Sequence, residues 1–283
     1  MAGGVSQPGQ TVTGRVLSIL AVFEKSLAPR SLTEIAAETG LALSTTHRLV
    51  RELEEWDALQ RDVNGRYQIG IRLWELGQHA GRQVRDIARP LLQDLYSLTQ
   101  ETAHIAIREN TDVLYIDRVY GTRRVPQASR VGGRLPLHAT AVGKVILAFE
   151  EEWVRESVLA QPLVRRTAGT QVDPARLRVE LATVRERGYA VTRDEVRVGT
   201  ASIAVPVFQR GDGAVGAGLG LVARTDSAAT LERHLPALRG IARRIEASVG
   251  AFPLQSLRSQ PRASSQVAST ERKTVGSAAR PEH

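Results

Sequence analysis

The sequence predicts an α+β protein in two parts, and three observations carry that prediction. Residues 11–70 show helical periodicity that closes on an Asn-Gly hairpin. From about residue 104 the apolar period falls from about 3.6 to about 2. Strand-like and amphipathic helical segments then alternate up to about residue 250, the pattern of a mostly antiparallel sheet with segregated helices.

Residues 1–10 are rich in Gly, Ser, Gln and Pro and are expected to be disordered. Val16, Leu20, Phe23 and Leu27 recur at helical spacing and predict a first helix. Ser31-Leu32-Thr33-Glu34 fits a capping box, with the serine oxygen accepting from the third helical N–H and the glutamate reaching back. Leu32, Ile35 and Ala36 share a face of the helix that follows. Gly40 falls where that helix must stop, and glycine tolerates the left-handed conformation of such stops. The next helix is expected from about Leu43 to Glu54. Thr46, Leu49, Val50 and Leu53 face inward, and Ser44, Arg48 and Arg51 point away, flanked by Thr45, His47 and Glu52. Asn64-Gly65 between Leu59-Gln60-Arg61 and Arg66-Tyr67-Gln68-Ile69 predicts a two-stranded wing, with Arg61 and Arg66 near its tip.

Two helices, a glycine turn and a wing make a winged helix-turn-helix over residues 11–71, a shape whose second helix fits the major groove of double-stranded DNA. Arginine can grip guanine bidentately, and Ser or Thr can serve a base or a phosphate. Ser44, Thr45, His47, Arg48 and Arg51 are the expected reading residues, and Arg61 and Arg66 the phosphate contacts.

Residues 72–89 read as a linker helix weakened by Gly77 and Gly81, and Pro90 suits the first turn of a helix running to Thr99. Strands are expected at 104–108 and 113–119, joined by Asn110-Thr111-Asp112. Arg123 to Leu135 reads as a further strand and loop. Helices follow at Thr140–Phe149, Trp153–Ala160 and Pro174–Arg187, strands at 188–191, 201–208 and 215–222, and a closing helix at Leu231–Val249. Residues 90–252 thus form the second domain. Residues 253–283 lack periodicity and are expected to be a disordered basic tail.

Composition sets limits. The chain has 283 residues, no cysteine and no apolar run of membrane-spanning length. With an N-terminus that is neither basic nor apolar, this fits a cytoplasmic protein without disulfides or a signal peptide. The formal charge is +8, yet residues 11–80 carry eight basic and nine acidic groups. The expected DNA reader is therefore slightly acidic, and its affinity must come from a few placed arginines and from pairing of subunits.

Thr140-Ala141-Val142-Gly143 lies at a helix N-terminus, where free N–H groups and the helix dipole favour an anion such as a carboxylate. The alternative is that Ala141 and Gly143 only permit close packing. Lys144 is more simply solvated or structural than a counter-charge.

Three ordered motifs carry a family resemblance: GLALSTTHRLVRELEEW with GRYQIG, LPLHATAVGKVILAF from Leu135 to Phe149, and RERGYAVTRDEVRVGTASIAVPVF from Arg185 to Phe208. Over roughly residues 11–250 the chain resembles the IclR family of bacterial transcriptional regulators. The resemblance implies a GAF-like effector domain, a dimer or dimer of dimers, and a palindromic operator. It also implies a small organic acid held near Leu135 and Thr140–Gly143. Thr192 stands where many relatives are acidic, and Ser202 where some carry cysteine. Leu219 and Leu221 stand where some relatives place serines. If these leucines line the pocket, it is less polar, and one added apolar contact is worth about 2 kcal/mol. That favours an aromatic or otherwise apolar acid.

Other signals are weaker. Gly211-Asp212-Gly213-Ala214-Val215-Gly216 matches a dinucleotide fingerprint, but the strand that follows makes it a hairpin turn. The histidines at 47, 79, 104, 138, 234 and 283 show no metal spacing, and no nucleophile elbow or P-loop is present. No catalytic residue, metal or cofactor is expected. The expectation is a regulator of a catabolic operon, a repressor ahead of an activator, with a metabolite-binding protein that does not touch DNA as the lesser alternative.

Overall fold

The computed structural model describes residues 11–24, 28–79, 82–121, 130–209 and 213–249. The expected disorder of residues 1–10 and 253–283, Leu27, most of the expected strand and loop after Arg123, and Gly211-Asp212 lie outside them. The chain divides into two compact units, residues 1–83 and 84–283. The division falls inside the stretch 72–89 expected to link the domains.

In the first unit, α1 (Val12–Val22), α2 (Leu32–Thr39) and α3 (Leu43–Glu55) precede β1 (Leu59–Arg61), β2 (Tyr67–Ile69) and α4 (Ile71–His79). The capping box is complete: Glu34 N–H donates to Ser31 Oγ at 3.2 Å, and Ser31 N–H donates to Glu34 Oε2 at 2.7 Å. Gly40 ends α2 in the left-handed region at φ 70°. Ile19, Val22 and Phe23 of α1 pack on Ile35, Leu49, Val50 and Leu53, closed by Leu59 and Tyr67. The inward stripe of α3 is the one its periodicity predicts.

The wing differs from a two-residue hairpin. Arg61 pairs with Tyr67, so five residues separate the paired strands. Gly65 N–H donates to Asp62 O at 3.0 Å, and Asp62 Oδ1 accepts from the Asn64 and Arg66 N–H groups, both at 2.9 Å. Only Gly65 takes a positive φ, 73°. This is a turn followed by a glycine bulge, built by the aspartate before the Asn-Gly pair.

The division falls near the start of α5 (Arg82–Thr99), which carries Pro90 in its interior. Pro90 therefore does not start a helix. Ala88, Leu91, Leu92 and Leu95 are buried on both sides of it, and that burial outweighs the one missing hydrogen bond. A six-stranded antiparallel sheet follows, in spatial order β5-β4-β3-β8-β7-β6. Its strands are β3 (Thr102–Glu109), β4 (Asp112–Val119), β5 (Arg134–Pro136), β6 (Ala190–Arg193), β7 (Thr200–Phe208) and β8 (Val215–Arg224). β7 pairs antiparallel with β8, and Gln209 N–H donates to Ala214 O at 2.8 Å.

Both faces of the sheet are covered. On one, α5 and α9 (Leu235–Val249) pack on Ile105, Ile203, Val205, Leu219 and Leu221. On the other lie α6 (Ala141–Phe149), α7 (Glu152–Leu159) and α8 (Pro174–Arg187), packed on Val113, Tyr115, Ala204 and Val215. On β8, Gly218, Gly220 and Val222 face α6. A Cβ on Gly218 would lie 2.8 Å from Val142 O, and one on Gly220 would lie 2.8 Å from His104 Nε2. The glycines let the start of α6 and His104 rest directly on the strand.

Candidate functional site: a DNA-reading face and an acid pocket

Ser44, His47, Arg48 and Arg51 are exposed on α3, and Thr45 is half-buried. Ala42 caps α3 and offers no side-chain acceptor, so the first N–H groups of the helix stay open. The two α3 arginines each meet an acid one turn on, Arg48 with Glu52 at 2.7 Å and Arg51 with Glu55 at 2.9 Å. Arg61, on β1, is held by Glu54 at 2.9 and 3.3 Å and lies over the Tyr67 ring at 4.8 Å. Arg66 does not extend from the wing tip. It turns back to Glu34 at 2.6 Å and Pro29 O at 3.1 Å, because the Arg30–Tyr67 bridge brings the start of α2 beside the wing. The Ser31 N–H and this guanidinium together lower the Glu34 carboxyl to about 2. Arg66 is thus a structural tie. The residue at the wing tip is Val63, fully exposed.

In the second unit a pocket opens at the N-terminus of α6. Thr140 caps the helix, its Oγ1 accepting from Gly143 N–H at 3.0 Å. Lys144 N–H donates to Thr140 O at 2.8 Å. The N–H groups of Ala141 and Val142 precede these and are the ones left for an anion. Of the expected pocket residues, Leu135, Thr140, Ala141, Val142, Thr192 and Ser202 line the cavity. Gly143 does not. It lies behind the helix start, where a Cβ would meet Leu137 O at 2.1 Å, so its smallness serves packing. Leu219 and Leu221 do not either. They sit in the α5–α9 core on the opposite face, because strand side chains alternate and Gly218, Gly220 and Val222 take the pocket side.

Sequence reasoning missed His104, Tyr115, Glu195, Val196, Thr200 and Val222, which complete the lining. His104 is 2 % exposed, its Nδ1 has no partner, and its ring meets Tyr115 edge-on at 5.2 Å. Burial, with the Arg118 charge second, lowers its pKa to about 3, so it is a neutral imidazole at physiological pH. Glu195 is held by Lys144, whose fully buried Nζ donates to Glu195 Oε1 at 2.6 Å and Glu180 Oε1 at 2.7 Å. Lys144 is therefore a structural cation. Burial pushes the Glu195 carboxyl up against the pull of that ammonium. The loop carrying Glu195 is strapped: Asp194, at φ 56°, accepts from Gly199 N–H at 2.6 Å and Thr225 Oγ1 at 2.7 Å, and Thr170 Oγ1 donates to Glu195 O at 2.6 Å. The cavity is small, about 30 Å³, room for roughly two waters. Among the described residues no group of His, Asp and Glu could hold a metal ion, and no helix is long and apolar enough to cross a membrane.

A winged helix-turn-helix and, in the same chain, a second unit with a small buried pocket point to a DNA-binding regulator. Residues 12–63 match the IclR helix-turn-helix domain, and residues 79–247 match the C-terminal domain of the bacterial transcriptional regulator IclR. The chain belongs to the IclR family of bacterial transcriptional regulators, whose members are DNA-binding proteins and not enzymes. It is 33 % identical to the regulator XynR of Escherichia coli over 69 % of this chain and 79 % of that one. It is 33 % identical to the E. coli repressor AllR over 72 % and 77 %. Among solved structures it resembles an IclR homologue from Microbacterium hydrocarbonoxydans complexed with 4-hydroxybenzoate. That likeness has a TM-score of 0.79 and 32 % identity over 85 % of this chain and all of that one.

Proposed function

We propose that this chain is a cytoplasmic repressor of a catabolic operon, released or retained on its operator by a small aromatic acid bound at the start of α6. A dimer, or a dimer of dimers, presents two α3 helices to successive major grooves of a palindromic site, about 34 Å apart. Ser44, Thr45, His47, Arg48 and Arg51 read the duplex, and Arg61 supports them from the wing.

The observation that carries the ligand reading is the chemistry of the pocket. The open N–H groups of Ala141 and Val142 receive the carboxylate. Tyr115, Leu135, Val142 and Val222 supply apolar walls for a ring. Thr192, Ser202 and the neutral His104 offer hydrogen bonds to a ring substituent. The relative complexed with 4-hydroxybenzoate supports the same ligand class. Leu219 and Leu221 play no part in it. A benzoate is larger than the present cavity, so binding requires side chains at the rim to move.

A thermal-shift panel tests this. A hydroxybenzoate is expected to raise Tm, and Val142→Asp, which sets a carboxylate at the helix start, to abolish the rise. Stabilisation by glyoxylate or pyruvate and by no aromatic acid would contradict the ligand class.

A further inference from the structure

The DNA-reading face is electrically neutral by construction. The guanidiniums of α3 and β1, from Arg48, Arg51 and Arg61, are each paired with a carboxylate of α3: Glu52, Glu55 and Glu54. Glu55 lies on the same outward stripe as Ser44, Arg48 and Arg51. The partners are at least about a third exposed, so these pairs add little to folding stability. None of the six side chains belongs to the core, although Arg61 lies over the ring of Tyr67, which does.

Their effect on DNA is larger. Sequence-independent affinity grows with the number of phosphates a protein neutralises. A guanidinium that keeps its carboxylate brings no net charge to the phosphates. Reading of base edges by Arg48 or Ser44 needs geometry more than charge.

We propose that Glu52, Glu54 and Glu55 are specificity-determining residues: they hold the reading arginines in neutral pairs, so that arbitrary duplex binds weakly and only matched bases draw the arginines away. This rests on α3 being the DNA-reading helix.

The test uses the full chain and fluorescence anisotropy on two duplexes of equal length, the DNA upstream of its own gene and a shuffled version. The variant is E52Q/E54Q/E55Q. Its affinity for the shuffled duplex should rise about tenfold or more at 50 mM salt, with a log–log salt slope steeper by about 2 to 3. Affinity for the upstream duplex should rise less, so the ratio between the two falls. Pairing is separated from simple repulsion by a cycle of R48Q and E52Q. The gain from E52Q should vanish when Arg48 is already Gln. A gain that persists undiminished, or no gain on the shuffled duplex, overturns the proposal. If R48A binds the upstream duplex as tightly as the parent, the assignment of the reading face itself fails, a distinct outcome.

Discussion

His104 is the clearest case of one residue setting the character of the pocket. Its pKa lies below that of a free imidazole because burial penalises the cation and Arg118 repels it. The unfolded chain takes up a proton as pH falls through about 6.5, and the folded chain does so only near 3. Stability is therefore lost as pH falls across that window, at up to about 1.4 kcal/mol per pH unit from this group. His104→Gln should flatten the decline of Tm between pH 6.5 and 4.5 relative to the parent. An unchanged pH profile would mean that the ring is not held neutral. Gly143 is the second case. A methyl group there meets backbone at Leu137, which cannot rotate away. Gly143→Ala should cost about 1–3 kcal/mol, a Tm drop of roughly 2–12 °C. A drop under 1 °C would show that the turn before α6 yields easily.

At the scale of elements, α3 and the wing divide the work. Arg48→Ala should weaken operator binding by about 1–3 kcal/mol, roughly ten- to a hundredfold, read by gel shift at moderate salt. The wing rests on Asp62, whose carboxylate holds two N–H groups of the turn. Asp62→Ala should cost about 1–2 kcal/mol and lower the melting point. How far these elements can be read in sequence depends on how local their causes are. The capping box, the Gly40 stop and the inward stripe of α3 are all decided within a few residues, and all are legible. Arg66 is not, because its partner Glu34 lies 32 residues away. Leu219 and Leu221 show a different limit. Alternation reveals that β8 has two faces, but both faces are buried, so hydropathy cannot say which one meets the pocket. The close approach of Val142 and His104 decides it, and the glycines at 218 and 220 are its trace in the sequence. His104 and Glu195 carry no local signature either, since their roles come from burial and from Lys144.

For the molecule as a whole, the formal charge of +8 does not describe the DNA-binding unit, which is neutral to slightly acidic. DNA affinity then rests on placed groups and, in the proposed dimer, on two readers acting together, which would leave binding open to control by small changes in how the readers are presented. An acid in the second unit can exert that control only if it binds the DNA-competent and DNA-incompetent arrangements with different affinity. The coupling is reciprocal: operator DNA must change the affinity for the acid by the same factor. The most direct test is operator affinity of the full chain, measured by gel shift on its own upstream DNA with and without a saturating aromatic acid that raises Tm. A change of about fivefold or more on the upstream duplex, lost in Val142→Asp, is the expected result. An operator affinity that stays the same while the acid demonstrably binds would contradict an acid-controlled reader.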